Sequence, residues 1–326
     1  MTIILGLNCN HADSSACLIK DGKLLIAIEE ERINRIKHWA GLPIKSITEC
    51  LRFTNINISE ITDIAINTNP TSNINQKIIY FLKNYLFGKK KYEIIKRLKK
   101  KIELKKDLNI SFYPNVLSKN IKIHYIDHHL SHISSAFYPS GLKEAVGLSI
   151  DGFGDFCSVC ISKCEDGNIK IIKKYFFPHS LGVFYESFTQ LIGFKNYGDE
   201  YKMMGLSSYG KPIYCETILN NIFKKNNNLE LNIDYFNHTN QNYSYKFEGK
   251  PKQNDLYNER LERLLKVKDL DINSIDNVHK NIAASAQKIF ETKLLQIFDE
   301  IKKLSLSKNL VYAGGCALNS LANKKI

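Results

Sequence analysis

From its third residue the chain places apolar side chains at every second position, the period of a half-buried strand, and Ile3–Asn8 is predicted as the first strand. Residues 17–20 predict a second strand and Lys23–Glu29 a third, joined across Asp21-Gly22, a dipeptide suited to a tight hairpin. The charges from Glu30 to His38 fall at helical spacing, residues 46–53 read as a short amphipathic helix, and residues 61–67 as a fourth strand. A strand at 121–126 leads into a helix opened by Asp127-His128-His129-Leu130-Ser131-His132. Residues 145–150 form a continuous apolar run, the pattern of a strand buried on both faces. Residues 157–162 and 169–176 continue it as a meander around Glu165-Asp166-Gly167-Asn168. Residues 178–212 read as helices with loops, 278–303 as a long periodic helix, and 309–312 as a strand. Ala313-Gly314-Gly315 then precedes a new helix.

Two segments interrupt this order. Residues 73–120 contain a Lys-rich insertion from Gly88 to Lys106. Its Tyr92, Ile95, Leu98 and Ile102 recur every three or four residues, which predicts an amphipathic helix packed by one narrow face. An acidic membrane surface is the alternative partner for that helix. Residues 213–275 are polar and Asn-rich and give little pattern.

A length of 326 residues suits about two domains of ordinary size. The boundaries expected are 1–140 and 141–326, and the strand–hairpin–helix–strand opening resembles a ribonuclease-H-like unit. Hydrophobic content of 44% and charged content of 24% are those of a globular protein, and no apolar run reaches membrane-spanning length. The opening MTIILGLNCNH lacks the basic residues of a signal peptide, so the eight cysteines are expected as free thiols in the cytoplasm. The net charge of +13 is mostly lysine in a chain also rich in Ile and Asn. Composition bias accounts for it; a basic surface for nucleic acid is the alternative, and no RNA-module signature supports that.

Three constellations carry candidate chemistry. His128 and His132, four residues apart on one helical face, can both reach one metal ion, and Asp151 at the end of a buried strand can complete a two-His, one-carboxylate set suited to Fe(II), Zn or Mn. His129 points elsewhere and is read as structural. Gly152 and Gly154 near that strand end, and Gly314 and Gly315 between strand and helix, permit close backbone approach to a phosphate or nucleotide, with Asn319 one turn into the helix. Arg32, Arg35, Lys37 and His38 form a basic group, either a solvated helix face or an anion clamp. Cys157, Cys160 and Cys164 have incomplete metal spacing and are read as two buried strand residues and one turn residue.

Taken in order, several segments resemble the NodU/CmcH-type O-carbamoyltransferase family, which includes the tobramycin carbamoyltransferase. They are His11-Ala12-Asp13-Ser14-Ser15-Ala16; Glu30-Glu31-Arg32 through Arg35, Lys37, His38, Gly41 and Pro43; His128 to His132 with Ser135-Ala136-Phe137; and Asp151-Gly152. Phe177 to Gly182, Glu200 to Leu206 with Tyr209 to Pro212, and Ala313 to Asn319 complete the set. The resemblance implies an α/β fold of duplicated ribonuclease-H-like lobes, as in actin and Hsp70 (the ASKHA class), with the second lobe and a C-terminal activating domain expected to continue past Ile326. It implies ATP and carbamoyl phosphate as substrates, carbamoyl adenylate as the intermediate, and a hydroxyl of a sugar, glycan or natural product as acceptor. His128, His132 and Asp151 map onto metal ligands, Fe(II) foremost; Gly152, Gly314, Gly315 and Asn319 onto the nucleotide site; Arg35 and Lys37 onto charge stabilisation; and His11 onto an acceptor-side base, with Asp13 orienting it or the substrate. Glu200 and Lys202 belong to a motif without separate roles. A homodimer and a separately encoded activating domain are further expectations. The competing reading is a catalytically incomplete nucleotide- or partner-binding module.

Overall fold

Ile3, Leu5 and Leu7 all turn to one side of β1 (Ile3–Asn8) and are buried, as a period of two requires. The computed structural model describes residues 1–85, 104–224, 229–240, 245–246 and 249–326. They divide into two compact units, Met1–Asp127 with Ser244–Gln253, and His128–Tyr243 with Asn254–Ile326. The Lys-rich helix expected from Gly88 lies outside the described residues up to 103; residues 104–106 open the short helix Leu104–Ser111.

In the first unit β1 pairs antiparallel with β2 (Ser15–Lys20), and β2 with β3 (Lys23–Glu29), while β4 (Asp63–Ile66) joins β1 in parallel and β5 (Lys122–Tyr125) joins β4 in parallel. The order β3-β2-β1-β4-β5, three antiparallel strands followed by parallel ones, is that of a ribonuclease-H-like sheet. Asp21 and Gly22 both take positive φ, the geometry that a two-residue hairpin demands. Helix α1 is shorter than its charge pattern suggests. It spans only Glu30–Asn34 and ends where Arg35 adopts a left-handed conformation. Helix α2 (Ile44–Thr54) buries Ile47 and Cys50 against the sheet.

In the second unit β6 (Glu144–Gly154), β7 (Cys157–Glu165) and β8 (Asn168–Phe176) form an antiparallel meander, and Leu310–Ala313 lies parallel to β6 on the other side. This repeats the pattern of the first sheet with four strands. Strand β6 is buried on both faces, as its apolar run predicts. Val146, Leu148 and Ile150 enter a core with helices Leu181–Leu191 and Asn277–Leu304, whereas Ala145 packs with Ile133 and Phe137 of helix α3 (His128–Ser140). Helix α3, assigned to the first lobe by sequence, thus belongs to the core of the second unit. Residues 213–275 are likewise less peripheral than their polarity suggests: Leu229, Leu231, Phe236, Leu256, Leu261 and Leu265 all enter the same core. Cys164, expected in a turn, is buried within β7 beside Cys160, and all eight cysteines are free.

Candidate functional site

The second unit gathers its chemistry at the C-terminal end of β6. Helix α3 begins at His128, whose backbone N–H donates to Asp155 Oδ2 at 2.9 Å, so Asp155 satisfies a helix-terminal donor and fixes the first turn. Asp155 and Phe156 form the β6–β7 turn with φ of 49° and 71°, a conformation uncommon for any residue with a side chain and most so for a bulky one. One turn along α3, His132 comes onto the face of His128. Both Nε2 atoms meet Asp151 Oδ2, at 2.8 Å from His128 and 3.1 Å from His132, and lie 3.1 Å from each other. The three residues predicted as ligands are therefore brought together, with one donor atom from each. Burial alone would raise the Asp151 carboxyl, but hydrogen bonds and charge from the two histidines outweigh it and hold it well below the usual carboxylate range.

The glycines around this cluster leave room for it. A Cβ on Gly154 would lie 1.9 Å from His128 Cδ2, and one on Gly315 would come within 2.9 Å of Asp151 Oδ1. A Cβ on Gly314, which has a φ of +94°, would strike Ile150 O at 2.3 Å. Two imidazoles and a carboxylate converging in a glycine-lined cradle fit a divalent ion, with Fe(II), Zn and Mn all suited to that donor set. Gly152 borders open space, and its N–H donates to Asp151 Oδ1 at 2.8 Å. Ser180, whose Oγ caps helix Leu181–Leu191 by accepting the Val183 N–H, also donates to Asp151 O at 3.1 Å. Its sequence signal was a serine one residue before a helical run; its contact with Asp151 was not readable.

His129 is wholly buried between Ser149 Oγ at 2.8 Å and Cys157 O at 3.0 Å. Burial pushes its pKa down to about 4, so the ring is neutral and joins α3 to β6 and β7, the structural role expected of it. Asn319 lies just before the helix Ser320–Asn323 and caps it, not one turn inside. Its side chain is buried and exchanges hydrogen bonds of 3.0 Å with Gln287, which also accepts Tyr185 OH at 2.7 Å. Its Oδ1 accepts the Ala322 N–H, so the side chain holds the loop after Gly314 and Gly315 in place. Lys202 pairs with Asp199 at 2.7 Å.

The first unit holds a separate cluster. The loop after β1 is tied to residues 39–41: Ser14 N–H donates to Trp39 O at 3.0 Å, Asn10 N–H to Gly41 O at 2.9 Å, and buried Ser14 Oγ accepts Gly41 N–H at 3.1 Å. These ties bring Asp13 to His38, with Nδ1 donating to Asp13 Oδ1 at 2.7 Å. Glu31 Oε2 accepts the His38 backbone N–H at 2.7 Å. Asp13 is thus engaged with His38, while His11 Nδ1 lies 3.3 Å from Ala12 O. The hydrogen bond to Asp13 raises the His38 pKa above its ordinary value, against an opposing push from burial. Arg35 and Lys37 are exposed on the turn leading to His38.

Two sheets of ribonuclease-H-like topology, one carrying a His–His–Asp cluster beside glycine-lined strand ends, define an α/β protein of duplicated plan. Residues 3–326 match the family described as carbamoyltransferase N-terminus, and the chain belongs to that family. It is 32% identical over 339 residues to an uncharacterised protein of Synechocystis sp., covering 100% of this chain and 52% of that protein. It is 29% identical to the nodulation protein NolNO of Sinorhizobium fredii, covering 96% of this chain and 42% of the relative. The chain thus spans about half the length of the curated relatives it matches. Among solved structures, component A of the Acidaminococcus fermentans (R)-2-hydroxyglutaryl-CoA dehydratase is similar at 10% identity and a TM-score of 0.47, over 99% of this chain and 87% of that one. No helix among the described residues is long and apolar enough to cross a membrane.

Proposed function

We propose that this chain is the transfer part of an ATP-dependent O-carbamoyltransferase, moving a carbamoyl group from carbamoyl adenylate to a hydroxyl of a sugar or natural product. The observation that supports it most directly is the convergence of His128, His132 and Asp151 beside Gly152, Gly314 and Gly315 in a carbamoyltransferase N-terminus chain. A divalent ion held by these three residues would supply Lewis-acid charge to a phosphate oxygen. The backbone at Gly152, Gly314 and Gly315 receives the nucleotide, and Asn319 acts on it by holding the loop. The acceptor oxygen bonds to the carbamoyl carbon, the bond from that carbon to the phosphate oxygen breaks, and AMP leaves. Arg35 and Lys37, exposed in the first unit, are cations of the kind that stabilise negative charge on a carbonyl or phosphate oxygen. Carbamoyl phosphate and ATP enter upstream, as precursors of the adenylate.

Calorimetric titration of the manganese-loaded chain with a non-hydrolysable carbamoyl-adenylate analogue tests this reading. Metal-dependent binding is expected, with a loss of at least about tenfold in affinity for His128→Ala. A folded chain that binds no analogue in the presence of metal would overturn the transferase reading and favour a partner-binding module.

A further inference from the structure

We infer that Gln287 is a positioning residue for the nucleotide: through Asn319 it sets the turn after Gly314 and Gly315, and with it the space for a phosphate beside Asp151. The inference rests on the carbamoyl-transfer reading and deepens it. Every residue it uses lies in the second unit.

Gln287 is a polar side chain in an apolar setting. Around it the helix Asn277–Leu304 buries Ala283, Ala286, Phe290 and Leu294, and Gln287 is itself buried. An amide in such a place costs stability unless it is hydrogen-bonded. Gln287 Oε1 accepts the Tyr185 hydroxyl at 2.7 Å and Asn319 Nδ2 at 3.0 Å. Its Nε2 donates to Glu291 Oε1 and to Asn319 Oδ1, both at 3.0 Å. A side-chain amide offers two donors and two acceptor sites, and here all four are used.

These bonds have a direction. A carboxylate only accepts, so Glu291 requires the amide nitrogen of Gln287 on its side. Burial pushes the Tyr185 hydroxyl far above its ordinary pKa, so the phenol keeps its proton and donates to Oε1. Asn319 is set in turn, because its Oδ1 takes both the Gln287 amide and the Ala322 N–H at 3.0 Å. Turning either amide over would set acceptor against acceptor or donor against donor. A buried network satisfied in this way holds one arrangement against the others.

The turn Gly315–Leu318 runs from Gly314 to Asn319, and Asn323 Nδ2 ties it from the far side by donating to Ala317 O at 2.7 Å. Its near side has little clearance. A Cβ on Gly315 would come within 2.9 Å of Asp151 Oδ1, and one on Gly314 within 2.3 Å of Ile150 O. A misplacement of about 1 Å at such a contact can cost about 100-fold in function. Asn319, with its acceptor oxygen committed, therefore serves the nucleotide through the turn, and Gln287 serves it through Asn319.

The test compares two ligands on the full chain: zinc, by competition with an indicator, and the non-hydrolysable carbamoyl-adenylate analogue on the manganese-loaded chain, by calorimetry. Gln287→Met keeps the length of the side chain and none of its hydrogen bonds. It should weaken the analogue by at least about tenfold. Zinc should stay within about twofold, because the hydrogen bonds of Gln287 reach none of His128, His132 and Asp151. Gln287→Glu gives a second readout. Its carboxyl would face Glu291, Asn319 and Tyr185, and could replace the amide N–H only while it carries a proton. Burial beside Glu291 raises the pKa of such a carboxyl. Its affinity for the analogue should therefore match wild type at about pH 6 and fall at least about tenfold below it by about pH 8. A residue that only stabilises the fold would shift both ligands together and at every pH. Analogue affinity unchanged in Gln287→Met, or lost in step with zinc, would overturn the inference alone. Should Gln287→Met not fold, a ratio of Gln287→Glu to wild type that is flat with pH would overturn it. A wild-type chain that binds zinc but no analogue would overturn the transferase reading, and this inference with it.

Discussion

At the residue scale the candidate site is held by positions where nothing larger than hydrogen fits. The i, i+4 spacing of His128 and His132 was readable because a helix puts such residues on one face. Asp151 was readable as the carboxylate at a strand end. The His38–Asp13 bond was not, because it depends on two left-handed turns and on hydrogen bonds through Ser14 that no local pattern encodes. Gly154 gives the sharpest test of the cluster. An alanine there would place its Cβ 1.9 Å from His128 Cδ2, so the ring must move, whereas an alanine at Gly152 meets nothing within 4 Å. Gly154→Ala should weaken zinc binding by about 10- to 100-fold, the range seen when a ligand's orientation is lost. Gly152→Ala should keep zinc affinity within about twofold while weakening the adenylate analogue. Titration with a competing zinc indicator separates the two; equal zinc affinities would mean that His128 is not a ligand.

At the element scale the strands were more legible than the helix ends. A buried strand announces itself by its apolar period, and β1 and β6 lie where that period puts them, as does the more exposed β3. The charge pattern from Glu30 to His38 overstated α1, because charge spacing says nothing of where the backbone turns left-handed. Asn34 Oδ1 accepts the Ile36 N–H at 2.8 Å, and this local bond competes with another helical turn. The long helix Asn277–Leu304 shows the opposite case, a clear run with an informative cap. Asp276 Oδ1 accepts the N–H groups of Val278 at 2.9 Å and His279 at 3.2 Å, and His279 Nδ1 reaches back to it at 2.7 Å. Asp276→Ala should cost about 1 kcal/mol in urea denaturation at pH 7. The bond to His279 lowers the Asp276 pKa below its ordinary value. A depressed carboxylate stabilises the folded chain above its unfolded pKa and loses that contribution as pH falls through the folded one. The gap between wild type and Asp276→Ala should therefore narrow below about pH 4, and Asp276→Asn, which keeps the acceptor but not the charge, should lie between the two at pH 7. A gap that is constant with pH would mean that the carboxylate's charge contributes nothing to the cap.

At the scale of the whole chain the same plan occurs twice, and each copy places its candidate residues at the C-terminal end of its first strand. Strand β1 runs into the loop of His11 and Asp13; β6 carries Asp151 and Gly152 near its C-terminal end. In each sheet that strand is the one paired antiparallel on one side and parallel on the other, so its end is where the direction of the sheet changes. A crevice at such a switch is where α/β sheets accept ligands. The duplication was legible as a repeated strand–hairpin pattern. The return of residues 244–253 to the first unit was not, since a polar stretch carries no periodic signal of its partner, and Ala40 meets Gly249 by backbone bonds alone. The two copies differ in donor chemistry, and that difference predicts where a metal acts. Both copies bring three side-chain donors together, Asp13, Glu31 and His38 in the first and His128, His132 and Asp151 in the second; the second's two imidazoles suit zinc better, so the second copy should be the one that responds to zinc. Hydrogen exchange followed by mass spectrometry, with and without zinc at about 100 times its dissociation constant, should then show slower exchange in peptides spanning residues 128–132, 150–155 and 314–319. That concentration corresponds to about 2.7 kcal/mol of linkage, enough to slow locally opening amides by roughly 100-fold. Peptides from β2 and β3 should be unchanged. Protection centred on the loop after β1 instead would place the metal in the first copy and leave His128, His132 and Asp151 as a hydrogen-bonded brace for the helix.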